Sequence, residues 1–486
     1  MKKYITLLLL ITVSTFLSAQ NFNDALLLSE PGIFNGARSL GMGNSYVAIS
    51  DDYSSIFFNP AGLGLINKLG LTASINSNNF DNSTTFLRNS ISSSKNDIKL
   101  SQFGFVFPVP TVRGSLVFSL GYNQVKNFNS VVEFDGFNNG NTSMIQHLTG
   151  DINDVAPLTY DIGLAYEVRD PITDEYIRDE TLINGMLNQS GIIKTEGSIG
   201  AWSFAGSAEV SKGLFVGGTF NILSGNYKRD RDYYEDDTRD IYGDDLELFP
   251  GDADTRDFLT FYLNDIIDWD LTGWNFKLGM LYAWEQLFKF GVAVKFPTYY
   301  TIKENYYVDV SSEFRTSTIF ELIDPIIDEI EYEIRTPFEI SAGASGSIDY
   351  VTLSASGKVI DYTQMEFTEG FDGEFHIEQN KEIDDLFRTS YTLNLGAEIK
   401  VPMLPFALRV GGMYIQSPYE DDPAEFDKKF LTAGVGFSFQ NSFRIDIAYA
   451  YGWWENFSDN YGSGVSRVMH DVTVHNIILG VSAGLN

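Results

Sequence analysis

A stretch of strict alternation near the C-terminal end constrains the fold more than any other feature of the chain. From Phe443 to Trp453, large apolar residues occupy every second position, and small or polar residues stand between them. A β-strand places alternate residues on opposite faces, so one face of this segment is entirely apolar. Because similar segments of about ten residues recur between Gly, Asn, Asp and Pro, the pattern predicts a transmembrane β-barrel.

The N-terminus has the features of a secretory signal peptide. Lys2 and Lys3 precede an apolar run from Ile5 to Leu17, and small residues follow. We therefore assign residues 1–19 to a signal peptide that is cut near Ala19. No later segment offers the roughly 20 apolar residues that a membrane-spanning helix needs. A membrane-embedded mature chain must then be a closed barrel.

The charge of the chain argues against nucleic acid as a partner. The formal net charge is −32, and residues 233–270 carry thirteen acidic side chains against two arginines. No basic stripe is present to neutralise phosphates. No EF-hand spacing occurs in the acidic segment, so we interpret it as a solvated exterior and predict no metal site. The chain has no cysteine, which excludes disulfides and thiol chemistry.

Fourteen segments have the composition of barrel strands. Their even number, with short connections after the even strands and long ones after the odd strands, predicts an all-β, 14-stranded antiparallel barrel. The long second outer loop includes a further strand-like segment, Pro157–Val168. The predicted strands are Leu69–Asn79, Lys99–Phe107, Gly114–Lys126, Glu196–Val210, Leu214–Lys228, Asp270–Ala283, Phe288–Glu304, Glu333–Gly346, Tyr350–Phe367, Arg388–Lys400, Pro405–Gln416, Lys429–Phe439, Ser442–Trp454 and Met469–Leu485.

The segment before the first strand is rich in glycine and lacks sustained alternation. Residues 36–43 read Gly-Ala-Arg-Ser-Leu-Gly-Met-Gly, and Asn59-Pro60-Ala61 follows after Phe57-Phe58. Together these motifs resemble the N-terminal hatch of the FadL/TodX family, outer-membrane channels for long-chain fatty acids and other hydrophobic compounds. The resemblance implies three parts: a signal peptide at 1–19, a hatch inside the lumen at 20–67, and a barrel with long extracellular loops at 68–486.

Later segments are similar to the family's late strands, so the resemblance spans essentially the whole mature chain. The clearest are residues 408–414, 434–437 and 445–449, with 274–279 and 295–297 earlier in the chain. One departure is the terminus, because outer-membrane barrels commonly end in an aromatic residue and this chain ends in Leu485-Asn486. An outer-membrane location implies lipid, lipopolysaccharide and the barrel-assembly machinery as partners.

Two outer loops carry apolar residues at helical spacing. We predict a helix with one apolar stripe in each loop. In the resembled family the third and fourth loops form an external groove that first captures substrate, which makes these residues candidate ligand contacts. The alternative, that the two helices only cap the barrel by packing on each other, requires the same stripes. The candidates are Phe258, Leu259, Tyr262, Leu263 and Ile266 in one loop, and Phe320, Ile323, Ile326 and Ile327 in the other.

Strand parity predicts a lumen that carries several cations. Lys277, Lys295 and Arg409 are candidate partners for a fatty-acid carboxylate, since a cation beside an apolar pocket would hold it by charge-assisted hydrogen bonds. The alternative is a set of structural ion pairs, for which Arg444 and Asp446 are the clearest candidates. The other inward-facing charges are Lys358, Glu339 and Glu398.

A passive route for hydrophobic compounds also needs a way past the hatch. In the resembled family the third strand is kinked, so that substrate leaves sideways into the membrane. Here that strand contains Gly114 and Gly121, and a glycine inside a strand can mark a bend. The hypothesis is that rearrangement of Asn59, Pro60 and Ala61 opens a lateral path near Gly121.

The sequence contains no enzymatic signature. It has no P-loop and no His-Glu-x-x-His motif, and its four histidines have no metal-binding spacing. A Gly-x-Ser-x-Gly match at residues 480–484 lies inside the last predicted strand, not at the strand-to-helix turn that a nucleophile elbow needs. We therefore predict a channel without cofactor or catalytic residues, with a hydrophobic small molecule as its partner. The alternative is a barrel of the same type that serves as a protein-binding scaffold in secretion, because fold does not fix function.

Overall fold

The computed structural model describes residues 21–33, 35–150, 158–285, 287–370, 373–439 and 442–485. The predicted signal peptide lies outside the described residues, and its cleavage near Ala19 stays a prediction. The division between hatch and barrel at residue 67 stays a prediction as well.

Nineteen strand segments form one closed antiparallel sheet. Four strands are interrupted, so the segments make fourteen barrel strands, as predicted. A short strand, Ile319–Glu321, precedes the eighth. In chain order the barrel strands are Leu69–Phe86, Asn89–Val109, Leu116–Asn127 with Ser130–Phe137, Asn188–Ser211, Leu214–Asp236, Phe258–Trp284, Phe288–Lys295 with Tyr299–Phe314, Ile326–Arg335 with Glu339–Ile348, Val351–Asp361 with Glu366–Glu369, Thr389–Lys400, Phe406–Ile415, Lys428–Phe439, Phe443–Asp459 and Arg467–Leu485.

The first and last strands pair along their whole length and close the barrel. The register runs from Gly70 opposite Gly484 to Thr85 opposite Met469. We call the end at Gly70 the turn end and the opposite end the loop end. The sixth strand is 27 residues long, whereas about 9–11 residues cross a membrane. Several strands therefore extend well beyond the lipid at the loop end.

The prediction of a long loop after the first strand is wrong. The first strand continues to Phe86 and the second begins at Asn89, joined by a two-residue turn. Leu87 and Arg88 have φ of 47° and 74°, as tight hairpin turns require. Residues 80–98 are mostly polar on both faces. They lack the alternation of a lipid-facing strand because this part of the hairpin lies beyond the membrane.

The outer face of the barrel is apolar, as the alternation predicts. In the thirteenth strand Ile447 and Tyr449 expose 51% and 40% of their surface, whereas Asp446 and Ala448 expose 5% and 1%. Exposed aromatic and aliphatic side chains occupy the same face of the other strands, for example Trp202 and Trp274. An apolar exterior around a polar interior is the arrangement of a membrane-spanning barrel.

Helical segments are few and short within the described residues. None of them is long and apolar enough to cross a membrane. In the second outer loop a separate hairpin pairs Tyr166–Arg169 with Tyr176–Glu180, which confirms that this strand-like region lies outside the barrel sheet. The helices are Phe22–Ser29, Ala37–Gly41, Ser55–Phe58, Met144–Gly150, Leu158–Asp161 and Gly373–Leu386, with 3-10 turns at Pro60–Leu65, Ala253–Thr255 and Tyr362–Gln364.

The loop end contains a hydrophobic core of its own. Side chains of the second outer loop, such as Ile145 and Leu164, pack with strand residues such as Phe134 and Phe314. All four are no more than 1% exposed. This loop-end core covers the outer end of the barrel, so that the extended strands and the second loop form one packed unit.

One buried carboxylate, Glu235, holds the helix Met144–Gly150 to the end of the fifth strand. Its oxygens accept hydrogen bonds from Ser143 Oγ at 2.6 Å, from the Met144 N–H at 2.8 Å and from Gln189 Nε2 at 2.7 Å. Burial raises the pKa of Glu235, although the bonds from Ser143 and Met144 offset part of the shift. Because the pKa is higher in the folded than in the unfolded state, Glu235 contributes stability at acid pH that is lost as the pH rises through the folded pKa.

We expect the second outer loop to resist protease better at acid pH. Cleavage within residues 158–187 should be about threefold slower at about pH 5 than at about pH 8. At the lower pH the buried carboxyl group of Glu235 is more readily protonated, and the neutral form costs less to bury than the carboxylate. Rates are normalised to an unfolded substrate at each pH. The variant Glu235→Gln should lose the difference, and Glu175→Gln, at an exposed position of the same loop, should keep it. An unchanged difference in Glu235→Gln would exclude this carboxyl group as its source.

Candidate functional site

The Asn-Pro-Ala turn lies against the inner wall of the barrel. Asn59 Nδ2 donates to Met280 O at 3.1 Å, and Asn59 Oδ1 accepts from the Ala61 N–H at 3.1 Å. Ser207 Oγ donates to Ala61 O at 2.8 Å, and Pro60 begins the 3-10 turn. The structure thus brings the three predicted hatch residues together, between the fourth and sixth strands.

Buried ion pairs tie the N-terminal segment to the late strands. Arg38 Nε lies 2.9 Å from Glu398 Oε2, and Arg409 Nε lies 2.7 Å from the same oxygen. Arg409 Nη1 also contacts Asp446 Oδ1 at 2.8 Å, and Arg444 Nε contacts Asp446 Oδ2 at 2.6 Å. The predicted pair of Arg444 and Asp446 is confirmed. Arg409, a candidate ligand contact, is already paired with two carboxylates.

Two aspartates of the N-terminal segment complete this network. Asp51 pairs with Arg38 and lies 3.5 Å from Lys289 Nζ. Asp52 lies 3.2 Å from Arg444 Nη2. Four cations therefore balance four carboxylates across the N-terminal segment and the seventh, tenth, eleventh and thirteenth strands. We call this set the anchor network. Removing one partner of such a buried pair costs about 3–5 kcal/mol, so the contacts favour a fixed hatch rather than a rearranging one.

A second charged cluster contains the other two predicted cations. Glu339 accepts from Lys295 Nζ at 2.6 Å and from Lys358 Nζ at 2.8 Å. Lys277 forms no ion pair among the described residues. Its ammonium donates to Phe57 O and lies 5.1 Å from the centroid of the Phe57 ring. Lys277 is therefore the candidate cation that has no carboxylate partner within the described part of the chain.

Lys277 and Lys295 line a cavity inside the barrel, which we call the inner cavity. Its volume is about 110 Å³. The wall combines apolar and polar side chains, with aromatic rings on the N-terminal segment and amides on the strands. Its lining includes Asn44, Ile56, Phe57, Phe58, Asn123, Leu223, Ser356, Asn394, Met413 and Ile415.

The third strand leaves the barrel wall partway along its length. Its ladder with the second strand ends where Asn123 faces Gln102. Against the fourth strand, Val125 is an extra residue between Gln124 and Lys126, which pair with consecutive residues. An extra residue of this kind bends a strand and interrupts its ladder. The predicted kink exists, and it lies at Val125.

Gly121 does not mark the bend. It faces Gly104 on one side and Ser203 on the other, within regular pairing. A Cβ at Gly121 would lie 2.1 Å from the Tyr53 Oη, so a glycine is needed for the approach of the Tyr53 ring. The bend therefore does not lie at Gly121, whose lack of a Cβ accommodates Tyr53 of the N-terminal segment, and a part for Gly121 in a lateral gate stays a prediction.

Side chains of the second strand cross the gap that the bend leaves. Lys95 Nζ donates to Thr195 O at 3.0 Å, and Lys99 Nζ donates to Gly197 O at 2.8 Å. Both acceptors belong to the fourth strand. We call the opening bounded by these four residues the wall gap. Flexible lysine side chains replace the backbone ladder there.

Cavities lie on both sides of the wall gap. Inside, an upper cavity of about 320 Å³ extends from the N-terminal segment to the bend. Outside, a groove of about 420 Å³ includes the exposed side chains Leu100 and Trp202. Gln124 lines both, so one side chain stands between the barrel interior and the lipid-facing surface. The apolar residues of the upper cavity include Leu27, Phe80, Phe128, Phe430, Trp454 and Val474.

A short strap separates the inner cavity from the upper cavity. Pro31, Gly32 and Ile33 line both cavities, as does Val125 at the bend. A Cβ on Gly32 would lie 1.7 Å from Val125 O, so the strap and the bend are in close backbone contact. Movement of this strap would connect the two cavities.

The predicted loop helices do not exist. Residues 258–284 form the sixth strand, and the apolar residues at its start alternate between its faces. Phe258 and Leu263 are at most 2% exposed and belong to the loop-end core, while Leu259, Tyr262 and Ile266 are half-buried. The helix prediction is wrong because a spacing of four residues places side chains on one face of a helix and also on one face of a strand. Over so short a segment the apolar residues therefore fit both periods.

The second stripe is extended as well. Phe320 lies in the short strand Ile319–Glu321, and Ile326 and Ile327 begin the eighth strand. Phe320 and Ile326 pack against the loop-end core. Ile323 and Ile327 expose 98% and 72% of their surface. The stripes thus do not face each other across a helical groove, and capture by loop helices is not supported.

The bend, the strap and the wall-gap lysines were missed from the sequence. Val125 is one apolar residue in an alternating strand, and its neighbours read as a normal strand end. Lys95 lies in the polar half of the second strand, which the sequence predicts as loop, and Lys99 is the first residue of the predicted second strand. Their four-residue spacing places both on one face of a strand. That spacing is the sequence feature from which a pair of lysines on the same face could have been predicted.

Comparison with known proteins identifies the fold. No family model and no curated protein sequence matches the chain. A FadL homologue from Pseudomonas aeruginosa is similar at 14% identity over 93% of this chain and 98% of that one, with a TM-score of 0.57. The toluene transporter TodX from Pseudomonas putida is similar at 13% identity over 93% and 99%, also with a TM-score of 0.57.

A third solved structure agrees with these two. The toluene transporter TbuX from Ralstonia pickettii is similar at 14% identity over 93% of this chain and 98% of that one, with a TM-score of 0.50. These likenesses extend over almost the full length of each protein. The closed barrel, its apolar outer face and these similarities together show that the chain is an outer-membrane β-barrel with the fold of the FadL and TodX channels.

Proposed function

We propose that this protein is an outer-membrane channel for passive uptake of hydrophobic compounds, with long-chain fatty acids as the favoured substrates. The observation that carries the proposal is the wall gap, where the single side chain of Gln124 separates an internal cavity from the lipid-facing surface at the bend of the third strand. The FadL and TodX channels of similar fold support the same class of function.

The proposed route passes from the inner cavity to the upper cavity and then sideways into the membrane. The strap Pro31–Ile33 separates the two cavities, so its displacement is the step that connects them. Lys126 Nζ donates to Glu30 O at 3.1 Å, and Lys428 Nζ lies 2.7 Å from Glu30 Oε1. These contacts hold the start of the strap, and Asn44 Nδ2 donates to Ile33 O at its end, at 2.7 Å. The Asn59–Ala61 turn stays in place, because hydrogen bonds fix it to the fourth and sixth strands.

We propose that Lys277 holds the carboxylate of a bound fatty acid. The loss of its ammonium in Lys277→Met should weaken oleate binding about 10-fold to 100-fold, since a hydrogen bond to a charged group is worth roughly 1.5–3 kcal/mol. Binding of methyl oleate, which has the same chain and no charge, should change little. Binding to the detergent-purified barrel is measured by native mass spectrometry and by displacement of a fluorescent ligand.

The exposed Lys303 provides the control, because Lys303→Met removes a charge far from the cavity. It should leave both ligands unaffected. An equal loss of oleate and methyl oleate in Lys277→Met would assign the effect to packing and contradict the ionic role.

One observation favours the alternative of a protein-binding scaffold in secretion. The loop-end core fills the outer end of the barrel, and a scaffold tolerates a blocked interior whereas a transporter does not. A purified barrel that binds neither fatty acids nor hydrocarbons, and that supports no uptake when expressed, would favour the scaffold. Uptake that depends on the wall gap would exclude it.

A further inference from the structure

The inner cavity contains more hydrogen-bond acceptors than a site for a plain hydrocarbon needs. Asn44 Oδ1, Asn123 Oδ1 and Ser356 Oγ are buried and have no hydrogen-bond partner among the described residues. The three side chains are 6%, 2% and 8% exposed, and all line the inner cavity. Asn394 Oδ1, in the same wall, is also without a partner in the described chain.

The donors of these amides are already used. Asn44 Nδ2 donates to Ile33 O at 2.7 Å, and Asn123 Nδ2 donates to Ser203 Oγ at 3.2 Å. The groups left facing the cavity are therefore mainly acceptors. Buried polar groups are nearly always hydrogen-bonded in folded proteins. An occupant of the inner cavity that supplies donors would satisfy these acceptors.

An amide ladder holds one of these acceptors in position. Ser203 Oγ donates to Asn221 Oδ1 at 2.6 Å, and Asn221 Nδ2 donates to Asn275 Oδ1 at 2.7 Å. Asn275 Nδ2 in turn donates to Thr298 Oγ1 at 2.9 Å. The ladder begins at Asn123 and crosses the third to seventh strands. A chain of bonds with one direction fixes which end of each amide faces the cavity.

The size of the cavity fits part of a ligand. About 110 Å³ is below the roughly 300–1,000 Å³ of sites that enclose a drug-sized molecule. The adjoining upper cavity, at about 320 Å³, presents aromatic and aliphatic side chains such as Phe80, Phe128 and Trp454, with polar residues between them. A polar head in the inner cavity and an apolar tail in the upper cavity would match both linings, with the strap at the junction.

We propose that the inner cavity binds the hydroxyl-bearing head group of an amphiphile, and that such hydroxylated lipids are preferred over esters and hydrocarbons of the same chain length. The head group donates to the oxygens of Asn44, Asn123, Asn394 and Ser356, while Lys277 accounts for an anionic group where one is present. This inference rests on the proposed channel function and specifies the substrate class for it.

The test compares two neutral ligands with the same acyl chain. Monoolein carries two hydroxyl donors, whereas methyl oleate carries none. Wild-type protein should bind monoolein at least about tenfold more tightly, since two neutral hydrogen bonds together correspond to roughly that factor. In Asn123→Leu this preference should fall to about threefold or less, with methyl oleate binding unchanged or improved. Ser356→Ala, a smaller change, should lower the preference in the same direction.

Asn82→Leu is the matched control. Asn82 is also a buried amide with an Oδ1 that has no partner among the described residues, but it lies outside the inner cavity. It should leave the preference unchanged. Folding of each variant is checked by the heat-dependent shift in electrophoretic mobility of the barrel.

The outcomes separate this inference from the function on which it rests. Equal binding of monoolein and methyl oleate by wild-type protein would mean that water alone satisfies the acceptors, which overturns the inference and leaves the channel function intact. Binding of neither ligand, nor of oleate, would overturn the proposed function itself. A preference that Asn123→Leu and Ser356→Ala both leave unchanged would place the head group elsewhere.

Discussion

Deletion of Val125 should lower the uptake of long-chain fatty acids about 30-fold while the barrel still folds. Val125 is the extra residue at the bend, and Gln124 and Lys126 already pair with consecutive residues of the fourth strand. Its removal lets the third strand run straight and pair with the second across the wall gap. A fatty acid that leaves through the wall would then have to break at least two backbone hydrogen bonds between the second and third strands, at roughly 1 kcal/mol each. This corresponds to a rate of passage that is about 30-fold lower.

The control is deletion of Val210. This residue is also an extra one, between Glu209 and Ser211 opposite the fifth strand, but it lies at the turn end. Its deletion should leave uptake within about twofold of wild type, because the wall gap is untouched. Uptake of labelled oleate is measured in a Gram-negative host that lacks its own fatty-acid channel, at matched amounts of folded barrel. Normal uptake without Val125 would show that substrate takes another route.

Substitution of Arg409 by Met should destabilise the protein by about 3–5 kcal/mol. The guanidinium contacts Glu398 and Asp446 and is 2% exposed at its side chain. Its loss leaves excess negative charge in the middle of the anchor network, and breaking a buried pair from one side costs about this much. The free energy of unfolding is measured by denaturant titration in lipid bilayers, with tryptophan fluorescence as the signal.

Arg467→Met provides the comparison, because Arg467 pairs with Asp459 at the loop end with 40% of its side chain exposed. An exposed pair is worth at most about 1 kcal/mol, so this variant should unfold close to wild type. Similar stability of Arg409→Met and wild type would mean that the anchor network does not hold the hatch. A rearranging Asn59–Ala61 turn would then again be a reasonable gating mechanism.

The sequence predicted the barrel because contact with lipid requires apolar residues at every second position of a strand, and one exception does not hide that alternation. Along Phe443–Trp453 every outward residue must be apolar, so the period, the faces and the neighbouring strands all follow. The pattern stops where the lipid stops. Residues 80–98 extend beyond it as a mostly polar hairpin. Residues 258–269 extend beyond it as well, and side chains such as Phe258 and Leu263 follow the packing of the loop-end core. The first was therefore interpreted as loop and the second as helix.

The candidate site was predicted less well, for a related reason. The inward direction of Lys277, Lys295 and Arg409 follows from strand parity. Which of them is paired depends on carboxylates that are distant in sequence, such as Glu339 and Glu398. The bend at Val125 arises from one inserted residue, and inserting a residue leaves the local composition of a strand almost unchanged. Neither the pairing nor the bend has a local signal.

The anchor network also sets an order of events during assembly. Arg38 and Glu398 are 360 residues apart, and Asp446 lies later still, so the charges of the N-terminal segment find their partners only when the last strands arrive. The closing seam between Gly70 and Gly484 forms when the fourteenth strand, which directly follows the strand that carries Asp446, pairs with the first. A segment that contacts the inner wall on several sides must be inside before that seam forms. Insertion of the hatch and closure of the barrel are therefore one step, because a chain that closes without its hatch keeps three cations, Lys289, Arg409 and Arg444, against only two carboxylates, Glu398 and Asp446.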